Sequence, residues 1–206
     1  MVRFAVFAKA PHAGSVKTRL IPALGAEGAA ALYRRLALAQ LQRTVQVAPG
    51  RVDLWCAPDA DDEFFARCAA DFGVSLYVQA DADLGMRMHA AVVDTLQRAD
   101  AAMVIGTDCP GLTVDYLARA AQRIEGNEHD VVIGPCEDGG YALIGLRSPQ
   151  PGLFSDIAWS TPDVTSVTRS RMRALGLRWY ELPLLWDVDA ASDLARLARW
   201  EGSGGQ

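Results

Sequence analysis

The chain has 206 residues, half of them hydrophobic and 22% charged, a composition typical of a water-soluble globular protein with a large core. Its formal net charge of −5 argues against a nucleic-acid-binding surface, which needs a basic face to release counterions. No apolar run approaches the ~20 residues of a membrane-spanning helix, and the apolar start is too short for a signal peptide, so we expect a cytoplasmic protein without a membrane span.

Strand-like and helix-like segments alternate along the chain. The first strand is predicted at 2–8, a nearly continuous apolar run of the kind that is buried on both faces. The later strands are predicted at 51–56, 74–78, 102–106, 130–135, 141–146 and 178–182, and the helices at 28–45, 61–71, 84–98, 113–124, 164–175 and 192–200. This order predicts an α/β fold with a mostly parallel sheet, right-handed crossovers and helices on both faces.

The segment YALIGL at 141–146 breaks the alternation, so we expect an antiparallel or edge strand in the second half. No repeat or linker divides the chain, which predicts one domain over 1–201 followed by a flexible tail at 202–206. In sheets of this kind ligands bind beyond the carboxyl ends of the strands. The polar residues that follow each strand are therefore the candidates for function.

The loop after the first strand combines Gly14 with three basic residues, Lys9, Lys17 and Arg19. A phosphate-binding loop needs glycine for close backbone approach and cations for the oxygens, and Arg19 can bind two oxygens at once. The loop is not a Walker A motif, because Val16 precedes Lys17 where that motif has glycine. A solvated surface turn explains the composition equally well, so the loop alone does not decide.

Four polar residues follow the third strand: Gln79, Asp81, Asp83 and Arg87. Carboxylates at the start of a helix interact favourably with its dipole, which accounts for Asp81 and Asp83. Gln79 and Arg87 are left without such an explanation. We therefore count both among the candidate nucleotide- or phosphate-binding residues.

Asp108 follows the buried fourth strand and is held in place by Pro110. A carboxylate at the end of such a strand is well placed for a hard cation, since Mg²⁺ typically takes one or two protein carboxylates together with substrate phosphates and water. A structural aspartate that caps the following turn is the alternative. We favour the metal role.

The fifth strand is followed by Glu137, Asp138, Gly139 and Gly140. The glycines permit a ligand to approach the backbone, and the two acids are candidates for acid–base chemistry. A tight hairpin also needs an Asp-Gly pair, but it does not need Glu137. Glu137 and Asp138 are our candidate catalytic residues, and Gly139 is a candidate phosphate-binding position.

Two further acids, Asp187 and Asp189, lie near the end of the chain. If this segment is extended, both side chains point to one face, because strand side chains alternate with a period of two. They would then complete a metal site with Asp108. Since either acid can instead cap the last helix, we expect a metal role for one of them and a capping role for the other.

Together these stretches resemble one family, the DUF2064 proteins, which are glycosyltransferase-A-like and include selenodomain-associated transferases. The resemblance extends from about Val2 to Leu194. It is more distant to 2-phospholactate guanylyltransferases and molybdenum-cofactor nucleotidyltransferases. The motifs that carry it are FAKAPHAGSVKTRL, QADADLGMRM, GTDCPGL, GPCEDGGYALIGL, WSTPDV and WDVDAASDL.

The resemblance implies a GT-A fold, a Rossmann-like sheet that binds a nucleotide together with Mg²⁺ or Mn²⁺. It implies that Lys17 and Arg19 face the base and phosphates, and that Asp108 takes the place of the metal-binding acid of the D-x-D motif. Asp187 or Asp189 looks like the later metal acid. The chain departs from a strict D-x-D pattern, since Asp108 has no second aspartate two residues away.

These observations favour glycosyl transfer from a nucleoside-diphosphate sugar to a small-molecule acceptor, with Glu137 or Asp138 as base for the acceptor hydroxyl. The first alternative is a nucleotidyltransferase that uses a nucleoside triphosphate and releases pyrophosphate, for which Lys9 supplies a further cation. The second alternative is a non-catalytic nucleotide-binding module. The nature of the product separates the first two hypotheses, and the absence of turnover would indicate the third.

Overall fold

The computed structural model describes residues 1–204, whose strands form a single seven-stranded sheet. The strands are β1 (Val2–Lys9), β2 (Val52–Ala57), β3 (Ser75–Val78), β4 (Ala101–Ile105), β5 (Val131–Pro135), β6 (Tyr141–Leu146) and β7 (Trp179–Glu181). The α-helices are α1 (Ile21–Val47), α2 (Glu63–Phe72), α3 (Leu84–Leu96), α4 (Val114–Glu125), α5 (Val164–Ala174) and α6 (Ala191–Gly202). Short 3₁₀ turns cover Thr18–Leu20 and Pro151–Leu153.

The strand order is β3-β2-β1-β4-β6-β5-β7. All neighbouring pairs are parallel except those of β6, which runs antiparallel to both β4 and β5. The α/β fold, the mixed and mostly parallel sheet and the antiparallel strand at 141–146 are therefore confirmed. A tight turn at 136–140 joins β5 to β6, and Gly139 at φ +89° takes a backbone conformation that side-chain-bearing residues rarely adopt.

Apolar side chains bury both faces of the sheet. On one face Phe4 and Leu54 pack with Phe65 of α2 and Leu117 of α4, and on the other Val104 packs with residues of α3 and α5. Full burial of a side chain of this size contributes roughly 1.5–3 kcal/mol, so the central strands are the most strongly stabilised part of the fold. Their carboxyl ends are thus rigid supports for the residues that follow them.

A third, smaller apolar cluster holds the end of the chain in place. Val188 and Leu197 pack with Leu20 and Leu36, and the aromatic ring of Trp186 completes the contact. The backbone N–H of Val188 also donates to the carbonyl oxygen of Asp108 at 3.1 Å. The acidic segment 187–189 is therefore fixed beside the carboxyl end of β4.

The first helix begins earlier than the pattern indicates, at Ile21 rather than at Gly28. Its first turn contains Pro22, and the helix is interrupted at Gly25, which has φ 69° and ψ 167°. Because this kink offsets the first turn from the rest, the apolar periodicity is regular only beyond it. The remaining helices begin and end within two residues of their predicted bounds.

The tail predicted at 202–206 overlaps the last residue of α6, and residues 205 and 206 lie outside the described part of the chain. None of the helices within residues 1–204 combines the length and the apolarity that crossing a membrane requires.

Candidate functional site

A cleft runs along the carboxyl ends of β1 to β4, and we call it the strand-end cleft. It consists of two adjoining cavities of about 630 and 400 Å³ that share Lys9, Ser15, Val16, Gln79 and Arg87. The larger cavity is further lined by Ala10, His12, Ala57, Pro58, Ala80, Asp81 and Ala82. The smaller one is further lined by Phe7, Ala8, Lys17, Thr18, Arg19, Tyr33, Leu84, Gly106, Thr107, Asp108 and Asp189.

Lys17 is a buried cation in the wall of the smaller cavity. Its side chain is only 3% exposed, and its Nζ lies 2.8 Å from Oδ2 of Asp108 and 4.0 Å from Oδ1 of Asp189. The ammonium needs such partners because an uncompensated charge is costly to remove from water. The backbone of Lys17 has φ 48° and ψ 41°, a left-handed conformation that costs a non-glycine residue roughly 1–2 kcal/mol.

Arg19 lies at the outer side of the same loop. Its side chain is largely exposed, and its guanidinium forms an ion pair with Asp189. Gly14 lies in this loop with φ +82°, although it does not line either cavity. The loop therefore directs two of its cations, Lys17 and Arg19, towards the acids that follow β4 and precede α6.

Gln79 and Arg87 lie where the two cavities of the cleft meet. The Gln79 amide donates to the carbonyl oxygens of Trp55 at 2.8 Å and of Ala8 at 3.3 Å, which ties the ends of β1 and β2 together. Arg87 donates from Nε to the carbonyl oxygen of Ala82 at 2.8 Å. The structure thus brings both residues into the cleft, where Gln79 binds the strand backbone and Arg87 lies beside it.

The two carboxylates predicted at the start of α3, Asp81 and Asp83, have different surroundings. Asp83 is the N-cap, and its side chain accepts from the backbone N–H of Met86 at 2.9 Å, as the helix-start interpretation requires. Asp81 instead lines the larger cavity. Its charge faces the same space as Arg87.

The acids predicted to bind a metal gather around Lys17. Burial and the nearby charges of Asp138 and Asp189 raise the pKa of Asp187, while the charge of Lys17 opposes this effect. Oxygen donors of this kind suit Mg²⁺ or Mn²⁺, so the donor chemistry fits a hard cation. Among residues 1–204, however, no three potential ligands lie at metal-binding spacing, and an ammonium occupies one oxygen of Asp108.

The capping role expected for Asp187 or Asp189 is wrong. Helix α6 begins after Ala190, and the carboxylate of Asp193 accepts from the backbone N–H groups of Ala190 at 2.6 Å and Asp189 at 3.0 Å. Asp193 therefore satisfies the free N–H groups at this helix start. Of the two earlier acids, Asp189 lines the smaller cavity and pairs with Arg19, whereas Asp187 lines neither cavity.

The two candidate bases after β5 have different surroundings. Glu137 forms a two-point ion pair with Arg196 of α6 at 2.6 and 2.8 Å, and this hydrogen bonding lowers the pKa of its carboxyl. A carboxylate stabilised in this way is a weaker base. Within the described residues Asp138 accepts only from the N–H of Gly140 at 2.9 Å, so it is the freer of the two acids, although neither lines the cavities of the cleft.

Gly139 has a packing reason for lacking a side chain. A Cβ at this position would lie 2.0 Å from the carbonyl oxygen of Pro162, and the Gly139 carbonyl accepts from the N–H of Thr165 at 2.9 Å. Gly139 lines neither cavity of the cleft. It brings the turn at 136–140 against the loop that precedes α5.

Sequence reasoning missed Tyr33 and Thr107, which connect the two sides of the cleft. The Tyr33 hydroxyl accepts from the N–H of Lys9 at 2.7 Å and from the Thr107 hydroxyl at 3.3 Å. Burial, with a contribution from the charge of Asp108, raises the pKa of Tyr33 to about 12, so the phenol is neutral at physiological pH. Within α1 this tyrosine follows the apolar helix pattern, so its spacing indicates only a core residue.

The architecture is that of the GT-A, or nucleotide-diphospho-sugar transferase, class. A solved protein from Desulfovibrio desulfuricans G20, provisionally assigned as a nucleotide-diphospho-sugar transferase, is 33% identical; the match covers 96% of this chain and 86% of that one, with a TM-score of 0.83. The chain belongs to the DUF2064 family, described as "uncharacterized protein conserved in bacteria", whose profile matches residues 40–161. No curated protein matches it.

More distant structures share the fold alone. A CMP:2-keto-3-deoxy-manno-octonic acid synthetase complexed with CTP is 13% identical, with a TM-score of 0.62 over 98% of this chain and 99% of that one. A glucosyl-3-phosphoglycerate synthase from Mycobacterium tuberculosis, in complex with Mn²⁺, UDP and glucosyl-3-phosphoglycerate, is 10% identical, with a TM-score of 0.54 over 95% of this chain and 75% of that one.

Proposed function

We propose that the protein is a transferase that binds a nucleotide-activated substrate in the strand-end cleft, with glycosyl transfer from a nucleoside-diphosphate sugar as its reaction. The observation that carries this proposal is the buried ammonium of Lys17, 2.8 Å from Asp108 at the carboxyl ends of the central strands. The 33% identical D. desulfuricans protein, with its provisional sugar-transferase assignment, supports the same class.

The diphosphate would lie in the smaller cavity. Lys17 and Arg19 line it, and Lys9 and Arg87 stand where it meets the larger cavity, so four cations converge on one space. Cations fixed before the reaction stabilise the charge that develops on a departing nucleoside diphosphate. The larger cavity is open to hold the nucleoside, with Gln79 and Pro58 in its wall.

The divalent cation, Mg²⁺ or Mn²⁺, would be held by Asp108 with Asp187 or Asp189. When bound, such an ion supplies positive charge to the phosphate oxygens. Lys17 and Arg19 would bind the phosphates. The hydroxyl of Tyr33 would hold the backbone of Lys9 and the side chain of Thr107 in position. Asp138 would accept the proton of an acceptor hydroxyl if the reaction needs a base.

Nucleotidyl transfer from a nucleoside triphosphate is the second candidate, and Lys9 favours it. Lys9 lines both cavities, and the ion pairs formed among residues 1–204 do not include it, so a cation is available for a third phosphate. The CTP-bound synthetase also matches over 99% of its own chain, against 75% for the UDP-bound one.

The product identifies the reaction. We would incubate the protein with Mn²⁺ or Mg²⁺, a panel of sugar nucleotides or nucleoside triphosphates, and a small-molecule extract as the source of acceptors. Release of a nucleoside diphosphate supports glycosyl transfer, whereas release of pyrophosphate supports nucleotidyl transfer. Asp108→Asn should abolish either product, and Arg178→Gln, which breaks an ion pair with Asp130 at the opposite end of the sheet, should not. Absence of both products would overturn the proposal of a transferase.

A further inference from the structure

Both the side chain and the backbone of Lys17 are held in a fixed position. Its ammonium is withdrawn from solvent and paired with Asp108 at 2.8 Å, while its backbone has the left-handed conformation described above. The carboxylate of Asp108 is itself 44% exposed at the surface of the smaller cavity. The lysine therefore covers one side of an acid whose other side faces the space for a ligand.

The second cation of the loop repeats this arrangement. Arg19 pairs with Asp189, so two of the three acids assigned to a metal each carry a positively charged partner. Among residues 1–204, Asp187 forms no ion pair with either of these cations. Lys17 and Arg19 therefore occupy carboxylate oxygens of Asp108 and Asp189 that a metal ion would need.

We propose that Lys17 acts as a resident counter-cation that keeps a divalent ion off Asp108 until a diphosphate draws the ammonium away. Metal and nucleotide then bind with strong positive coupling, and the metal alone binds weakly. This inference rests on the proposed function, because the diphosphate is the group that receives the ammonium. The proposal also predicts a binding order: the diphosphate binds before the metal ion or together with it.

Elementary electrostatics supports this exchange. An ammonium and a divalent cation on the same carboxylate repel each other, and this repulsion is strong in a partly buried site, where water screens it poorly. A diphosphate in the smaller cavity offers Lys17 oxygens of higher charge than Asp108 does. Binding coupling is reciprocal, so the factor by which a nucleotide tightens metal binding equals the factor by which metal tightens nucleotide binding.

The test measures Mn²⁺ binding without any nucleotide, by the paramagnetic resonance signal of free Mn²⁺ and by calorimetry. Lys17→Met should bind Mn²⁺ about tenfold more tightly than the wild type, within the range typical of coupled sites. Lys9→Met is the matched control, since it removes the same charge from the same cleft without breaking an ion pair to Asp108, and it should change the affinity much less. Lys17→Met/Asp108→Asn should lose the gain.

A second measurement uses the unmodified protein. Thermal shifts with UDP and with CTP, each with and without Mn²⁺, should show that nucleotide and metal together stabilise the protein by more than the sum of their separate effects. Lys17→Met should reduce both the nucleotide response and this excess. Lys17→Gln replaces Lys17→Met if the methionine variant does not fold.

The outcomes separate this inference from the proposed function. Tight Mn²⁺ binding by the wild-type protein alone, or equal Mn²⁺ affinities of Lys17→Met and Lys9→Met, would overturn the counter-cation role. Nucleotide binding that never recruits Mn²⁺ would overturn it too, because Lys17 would then take the place of the metal permanently. A protein that responds to no nucleotide would overturn the proposed function, whatever Lys17→Met does with Mn²⁺.

Discussion

Tyr33 shows how one side chain can organise a cleft without belonging to a recognisable motif. Its ring belongs to the apolar face of α1, while its hydroxyl joins the end of β1 to the segment after β4. The two segments that it joins carry Lys9 and Asp108. A change at this position should therefore affect both stability and ligand binding.

Tyr33→Phe should lower the free energy of unfolding by about 1–2 kcal/mol, since the buried N–H of Lys9 loses its acceptor. Nucleotide affinity should fall with it, because Lys9 and Thr107 are no longer held together. Urea denaturation and calorimetry measure the two effects. Tyr180→Phe, in which the tyrosine ring packs on Arg123, is the control and should change neither quantity appreciably. Unchanged stability of Tyr33→Phe would show that the hydroxyl network is not formed.

Gly139 allows a second test at the scale of one residue. Gly139→Ala adds a methyl group that would lie 2.0 Å from the carbonyl oxygen of Pro162, in addition to the strain of φ +89°. We expect a loss of about 2–4 kcal/mol from strain and overpacking together. Gly73→Ala has φ +65° but open space around the added Cβ, so it should lose only about 1 kcal/mol. Equal losses of melting temperature in the two variants would contradict the packing role of Gly139.

At the scale of the element, β7 is the shortest strand within residues 1–204, with three residues, and it lies at the edge of the sheet beside β5. Its position is secured by side chains instead. Glu181 accepts from Nε and Nη2 of Arg169 in α5 at 2.8 and 2.7 Å, and from Nε1 of Trp179 at 3.0 Å. These hydrogen bonds lower the pKa of the Glu181 carboxyl.

Glu181→Gln should therefore destabilise the protein by about 0.5–1 kcal/mol at pH 7. Because the folded-state pKa of Glu181 is depressed, its contribution is present above the unfolded pKa of about 4.3 and is lost as pH falls below it. The gap between wild-type and variant unfolding free energies should then close on acidification. Glu63→Gln, which breaks an exposed pair with Arg67, should cost less than about 0.5 kcal/mol. A gap that stays constant from pH 7 to pH 3 would contradict the ion-pair role.

The elements themselves follow closely from local sequence. Thr113 caps α4 as its hydroxyl chemistry predicts, and 141–146 is the antiparallel strand that the broken alternation indicates. The early start of α1 was not predictable from periodicity, since the kink at Gly25 displaces the first turn from the later pattern. Apolar periodicity predicts a helix where successive turns share one apolar face, and it does not predict a first turn that a kink has rotated away from that face.

At the scale of the whole molecule, the position of the cleft was predictable and its connections were not. The carboxyl ends of parallel strands meet at one edge, so Lys9, Gln79 and Asp108 were expected near one another. The pairing of Lys17 with Asp108 and of Glu137 with Arg196 joins residues far apart in the sequence. No local pattern encodes such pairs, because they depend on where helices α1 and α6 pack against the sheet.

The central claim is that the strand-end cleft binds a nucleotide-activated substrate. The most direct measurement is the thermal shift of the protein with sugar nucleotides and nucleoside triphosphates, each with and without Mn²⁺. A ligand at a hundred times its dissociation constant adds about 2.7 kcal/mol, or several degrees of melting temperature. We expect such a shift with at least one nucleotide, lost in Arg87→Ala and kept in Arg178→Gln. No shift with any of these ligands, or a shift that survives Arg87→Ala, would contradict the account.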